Sequence, residues 1–310
     1  MLSSYRPTSR QLRLSCLAAL VANVAIVITG GAVRLTGSGL GCPTFPRCTA
    51  ESMTPTREMG VHGVIEFGNR MLTFALGAAV VVAIVVTMRA QPRRPILIVL
   101  SWLLLAGIVA QALLGGVTVL TGLHPVTVMA HFLLSMALIA VAVVLYERSG
   151  EPDDPARPVA HPAVRLLGTV LIGVTTMTLV LGTVVTGSGP HSGDENAQHR
   201  LPFSPATVAQ LHAEGVLLLL GLTITLLFAL RATGAPQLVR NRARDLFTIT
   251  LAQGFLGYAQ YFTKLPILLV GLHLLGACLV WIAVSRLYLA TRTRESVPVA
   301  MAQGQAMTLR

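Results

Sequence analysis

The feature that most constrains this chain is a series of long runs without a single Asp, Glu, Lys or Arg: residues 14–33, 71–88, 95–146, 166–185, 246–262 and 266–285. A charge is costly in hydrocarbon, and a helix that crosses a bilayer needs about 20 mostly apolar residues. Each run is therefore read as membrane-spanning. The run 95–146 is long enough for two helices broken near Thr121 to Pro125, and residues 207–230 add another that holds only Glu214. The expected fold is all-α and integral to the membrane, with eight transmembrane helices. A hydrophobic content of 54%, a charged content of 11% and a mean hydropathy of +0.72 exclude a soluble domain.

The formal charge of +11 does not mark a nucleic-acid-binding protein, because the basic residues sit in small groups beside the spans and alternate with the topology. Placing the N-terminus in the cytoplasm puts 17 of the 23 basic residues on that side, leaving Arg34, Arg47, Arg57, Arg70, Arg200 and Lys264 on the other face. Both termini are thus expected to be cytoplasmic, in a multi-pass protein of the plasma membrane. The basic N-terminal arm resembles a signal peptide, but no A-x-A cleavage site closes the apolar segment, so it reads as a retained first helix.

An internal repeat is suggested by GGAVRLTGSG (residues 30–39), GGVTVLTG (115–122) and GTVVTGSG (182–189), which all end odd-numbered spans. Small-residue helix ends also recur in any bundle that packs closely. If the repeat is real, residues 1–146 and 164–290 are two four-helix halves that enter the membrane in the same direction, as parallel repeats. The polar, Pro-rich stretch 147–163 is the linker between them, and 291–310 is a cytoplasmic tail expected to be disordered.

Few ionisable groups lie within the spans, and each is a functional candidate. His131, His212 and His273 fall on the fourth, sixth and eighth helices, while Glu66 and Asn69 fall on the second. Histidines on the second helix of each hairpin suit haem, whose iron takes an imidazole from either side while the macrocycle fills the gap between helices. A hydrogen-bonded packing role is the alternative for any one of them. Nearer the outer side, His62 precedes Asn69 by seven residues and His124 precedes His131 by seven. Two helical turns, about 10.5 Å, separate the members of each pair, so one cannot replace the other at the same iron. His62 and His124 form an outer pair, or are simply interfacial. Cys42 and Cys48, in GCPTFPRC, are expected to form a disulfide on an oxidising face, either structural or redox-active. Cys16 and Cys278 read as apolar fillers. Arg34, Arg70 and Arg200 could pair with haem propionates or simply snorkel from helix ends.

Taken together, GGAVRLTGSGLGCPTFPRC, IEFGNR, HPVTVMAHFLLSMAL and the single histidines of the sixth and eighth spans resemble the haem A synthase (CtaA/Cox15) family, over roughly residues 14–286. The resemblance implies an enzyme that oxidises the C8 methyl of haem O to the formyl of haem A, through hydroxylated intermediates, for a terminal cytochrome oxidase. It implies a haem b cofactor in the C-terminal half, on His212 and His273. In the N-terminal half it implies the substrate haem O, with His131 as ligand and Glu66 as a nearby proton acceptor. Cys42 and Cys48 match a cysteine pair associated with activity. Haem O synthase is the implied partner that supplies substrate, and an electron acceptor is needed that the sequence does not identify; a homo-oligomer is compatible with it.

The chain also departs from the family pattern. Where E-x-x-H is usual, it has Glu66 and Asn69, so either His62 ligates from two turns higher or the substrate iron has a single protein ligand. Glu214 follows His212 where Arg is common, and the loop between the fifth and sixth spans has no cysteine. Two other functions remain open to residues of this kind: a b-type, quinone-linked electron carrier that leaves its haem unaltered, and a transporter built from parallel repeats.

Overall fold

A computed structural model describes residues 6–191, 193–194 and 199–294. Among these are eight long helices: α1 (Ser9–Leu35), α2 (Gly60–Arg89), α3 (Pro95–Leu120), α4 (Pro125–Ser149), α5 (Pro162–Ser188), α6 (Pro205–Ala232), α7 (Gln237–Phe262) and α8 (Ile267–Ala290). The protein is an all-helical, multi-pass membrane protein. Local sequence fixes the helix starts. Thr8 and Gln11 form a reciprocal capping box at α1, with the Thr8 hydroxyl accepting from the Gln11 amide and the Gln11 side chain accepting from the Thr8 amide. Proline occupies the first turn of α3, α4, α5 and α6, where its missing N–H costs nothing.

Seven of these helices are by length and composition apolar enough to cross a membrane, and α7 alone among the eight falls short of that measure. The first third of α7 carries Arg240, Arg242, Arg244 and Asp245, and its remaining tract, residues 246–262, contains Gln253 and Gln260. That tract amounts to about 26 Å of helix against a hydrocarbon core of roughly 30 Å. Even so, α7 packs beside α6 and α8.

The helices pack as two rings of four. In the first, α1 touches α2 and α4 while α3 completes the circle; in the second, α5 touches α6 and α8 while α7 completes it. Each ring has its own apolar core. Leu20, Val80, Leu104 and Ile139 lie in one, and Leu171, Leu219, Leu246 and Leu287 in the other. Large apolar side chains such as Phe74, Leu166, Phe228 and Leu268 point outward, as expected of surfaces facing lipid rather than water. Within each ring α2 and α4, or α6 and α8, are diagonal partners across the bundle axis.

The rings meet chiefly through α8, which packs on α1 and α4. There the Trp281 indole N–H donates to the Met136 carbonyl at 2.8 Å. At the linker end, Glu147 pairs with Arg286 and, at 3.9 Å, with Arg242. Buried Arg94 donates to the Arg148 and Glu151 carbonyls, at 2.7 Å each, and pairs with Asp153 at 3.1 Å. The linker and the first tail residues are not free strands of chain: β1 (Arg157–Pro158) pairs antiparallel with β2 (Arg292–Thr293). The expectation of disorder beyond residue 294 concerns residues outside those described.

Candidate haem-ligand stations and the cysteine loop

The helical hairpins share one local design. In each, a glycine on the odd-numbered helix faces the candidate ligand on the even-numbered one. A Cβ at Gly115 would lie 3.2 Å from His131 Cε1, at Gly182 3.1 Å from His212 Cε1, and at Gly257 3.3 Å from His273 Cε1. The fourth station is Gly30, whose Cβ would lie 3.8 Å from Asn69 Nδ2. At the histidine stations the imidazole takes up much of the space that a side chain on the neighbouring helix would fill, so a Cβ there would force the ring to shift by a few tenths of an ångström.

Polar groups four residues before these glycines hold the stations. The Thr178 carbonyl, four before Gly182, accepts from His212 Nδ1 at 3.0 Å. That bond places the proton on Nδ1 and leaves Nε2 with its lone pair. Gln111, four before Gly115, donates to the His131 carbonyl at 3.0 Å and to the Ser135 hydroxyl at 2.5 Å. Gln253, four before Gly257, donates to the His273 carbonyl at 2.6 Å. Glutamine, glycine and histidine thus recur with the same spacing in α3–α4 and α7–α8. The sequence carried that signal openly, yet histidines taken one at a time do not reveal it.

His212 and His273 come together, with ring centroids 6.3 Å apart and planes inclined at 70°. His131 Nδ1 and His273 Nδ1 are buried without a hydrogen-bond partner, as is Asn69 Oδ1. Such orphaned polar atoms in a core are uncommon.

The other candidates cluster around the cysteine loop. Cys42 and Cys48 form a disulfide, and both are fully buried. Glu66, only 5% exposed, accepts from the Cys42 amide at 2.6 Å through Oε2 and from Arg70 at 2.6 Å through Oε1. Arg70 also donates to the Cys42 and Thr44 carbonyls at 3.0 Å each, so this guanidinium is occupied with the loop. Arg34 donates to the His191 carbonyl at 2.8 Å, and Arg200 to the Gly189 carbonyl at 3.2 Å. His62 is exposed, with Nδ1 2.9 Å from the Ser38 hydroxyl. His124 caps α4 and faces the His199 ring at 5.2 Å. The two outer histidines therefore each have a different neighbour. No cluster of three or more His, Cys, Asp or Glu suited to a metal ion occurs among the described residues. Cys16 and Cys278 are free thiols buried in the helices.

The fold and these stations define a polytopic helical membrane protein that presents half-buried imidazoles across the axis of a four-helix ring. The chain belongs to the COX15-CtaA family, described as cytochrome oxidase assembly protein, whose profile matches residues 13–191. Among known proteins it is similar to the Heme A synthase of Lysinibacillus sphaericus, 31% identical over 138 residues that cover 44% of each chain. The Heme A synthase of Shewanella oneidensis is 28% identical over 148 residues, 42% of this chain and 43% of that one. The Heme A synthase of Geobacillus thermodenitrificans is 28% identical over 142 residues, 44% of each. The chain thus matches less than half the length of these relatives.

Proposed function

We propose that the protein is a membrane oxidoreductase that converts haem O to haem A, oxidising the C8 methyl to a formyl group with haem b as cofactor. The observation that carries this reading is the spacing of His212 and His273. Two imidazoles that meet at close range from diagonal helices could hold one haem iron between them. The ring centroids of His212 and His273 are 6.3 Å apart.

On this proposal the second ring is the cofactor site. His212 and His273 are its iron ligands, and the Thr178 carbonyl keeps the His212 proton on Nδ1 so that Nε2 serves the metal. Haem b bound there would supply one-electron redox chemistry. The first ring takes haem O, with His131 as the protein ligand, its ring orphaned at Nδ1. Gln111 fixes the backbone carbonyl of that same residue from the neighbouring helix.

Glu66 is the proton acceptor in this scheme, since oxidation of a methyl group sheds protons and this buried carboxylate lies one turn from Asn69. Arg70 and the Cys42 amide hold both of its oxygens in place. Arg34, which also donates to the His191 carbonyl, is the cation proposed to meet the anionic edge of a bound haem, while Arg70 is engaged by Glu66 and the loop carbonyls. Haem O synthase delivers the substrate, water supplies the formyl oxygen, and an acceptor outside the chain removes the electrons while the protons released pass to Glu66 and solvent. The basic residues flanking the helices support a plasma-membrane topology with both termini cytoplasmic and α7 as an eighth crossing.

Co-expression with a haem O synthase tests the activity: extracted pigment should contain haem A. Bound haem without haem A would favour the b-type carrier instead. Replacing His212 or His273 by Ala should remove the tightly held haem, and an unaltered absorbance spectrum in both variants would refute the assignment.

A further inference from the structure

Resting on the proposed haem-handling function and extending it, this inference concerns the one station without an imidazole. Three of the four glycine-faced positions carry histidine, and the fourth carries Asn69. Asn69 lies on α2, the helix diagonal to α4 that carries His131, just as α6 with His212 is diagonal to α8 with His273. A carboxamide has two fewer heavy atoms than an imidazole and presents a neutral amide rather than a nitrogen suited to iron. The difference leaves room on the scale of a single water molecule, next to a polar group that can hold it. Asn69 Oδ1 is buried and lacks a partner.

Nor does His62 fill the position. It stands two turns away along α2, exposed, with its ring against the Ser38 hydroxyl. At about 10.5 Å along the helix axis it serves a different level of the bundle.

We propose that Asn69 keeps one coordination position open, so that a haem iron held by His131 binds a small exogenous ligand such as water opposite it, with the Asn69 amide as that ligand's hydrogen-bond partner. The two rings are then chemically unlike. The second closes both faces of its iron with histidine, while the first leaves one face for a molecule from outside.

Carbon monoxide is the probe. The full-length protein, purified after co-expression with a haem O synthase and titrated with haem O to two haems per chain, should contain one high-spin ferric haem. On reduction that haem, and not the other, should bind CO. Asn69→His should abolish the CO-reactive fraction and convert its ferric signal to low-spin; Gly30 leaves space for the ring, as at the other stations. Asn69→Ala should still bind CO but with a shifted C–O stretch, because the amide partner is gone.

The proposal is overturned by a wild-type protein whose two haems are both low-spin and unreactive toward CO, or by a chain that takes no second haem. It is equally overturned if Asn69→His leaves CO binding unchanged. Should that variant not fold, an unshifted C–O stretch in Asn69→Ala overturns the role of the amide. Failure of the broader reading looks different: a protein that binds no haem at all removes the proposed function and this inference together.

Discussion

Glu66 accepts the backbone N–H of Cys42 at 2.6 Å, so a carboxylate on α2 grips the loop that the Cys42–Cys48 disulfide closes. The same carboxylate is bonded to Arg70, one turn along, which reaches back to the Cys42 carbonyl. Disulfide, carboxylate and guanidinium therefore form one assembly at that end of the first ring. Substitution separates the chemical role of Glu66 from its structural one. Glu66→Gln keeps an acceptor for the Cys42 amide and loses the charge, so haem content should stay near wild type while the yield of haem A falls. Unchanged haem A in extracted pigment would count against proton transfer at this residue.

Arg70→Ala should be more damaging to stability than Glu66→Gln. It leaves a carboxylate that is 5% exposed without its cation and strips donors from three loop carbonyls, those of Cys42, Thr44 and Arg47. Removing one partner of a buried ion pair costs about 3–5 kcal/mol. The expected signs are a lower Tm and faster reduction of the disulfide by added thiol, both read on purified protein. An Arg70→Ala protein as stable as wild type would show that the loop is held by other means.

Gly182→Ala and Gly257→Ala test the glycine stations. The added methyl would lie 3.1 Å from His212 Cε1 or 3.3 Å from His273 Cε1, closer than ordinary van der Waals contact, so the ring must shift by a few tenths of an ångström. Each variant should fold and show a perturbed haem spectrum or weaker haem retention. Gly221→Ala, on α6 with open space at its Cβ, is the control and should leave the spectrum unaltered.

Trp281→Phe removes the hydrogen bond from α8 to the Met136 carbonyl while keeping most of the apolar bulk. A typical net contribution for one such bond is about 1 kcal/mol, with more lost where a buried carbonyl goes unpaired. A modest drop in Tm with unchanged haem content is expected. Loss of haem from only one ring would instead mean that the indole shapes that site directly.

Arg94→Ala should rank among the most destabilising changes at the linker end. The guanidinium is 9% exposed and satisfies carbonyls of Arg148, Ser149 and Glu151 at the exit of α4. Arg294→Ala, whose side chain is 25% exposed and lies 3.6 Å from Glu151, should have little effect, since exposed pairs contribute about 0–1 kcal/mol. Equal melting temperatures for the two variants would be inconsistent with this account.

The helices were legible in the sequence because a bilayer admits one economical answer to uncharged runs of this length, and the break near Thr121 to Pro125 was visible in its turn residues. The helix at residues 246–262 is the least apolar of the eight: its apolar tract is short, and Gln253 and Gln260 reduce its hydropathy. The repeated T-G-S-G strings drew attention to helix ends, whereas the stations give a different register. They match Gly30 with Gly182, while aligning the strings would match Gly30 with Val180. The glutamines escaped notice because each acts on a backbone carbonyl of another helix, and a carbonyl has no signature in sequence.

By itself the sequence determined that this chain lives in lipid as a helical bundle, that its ionisable residues inside the spans are few, and that Cys42 and Cys48 are close enough along the chain to be joined. Hydrophobicity and chain length suffice for that, since both act locally. Only the tertiary structure decided which of those residues meet. The 6.3 Å between His212 and His273, the grip of Glu66 on Cys42 and the glycines facing each station arise where helices far apart in sequence pack at close range. Distances of that kind depend on how side chains interlock across the bundle, and no periodicity along a single helix encodes them.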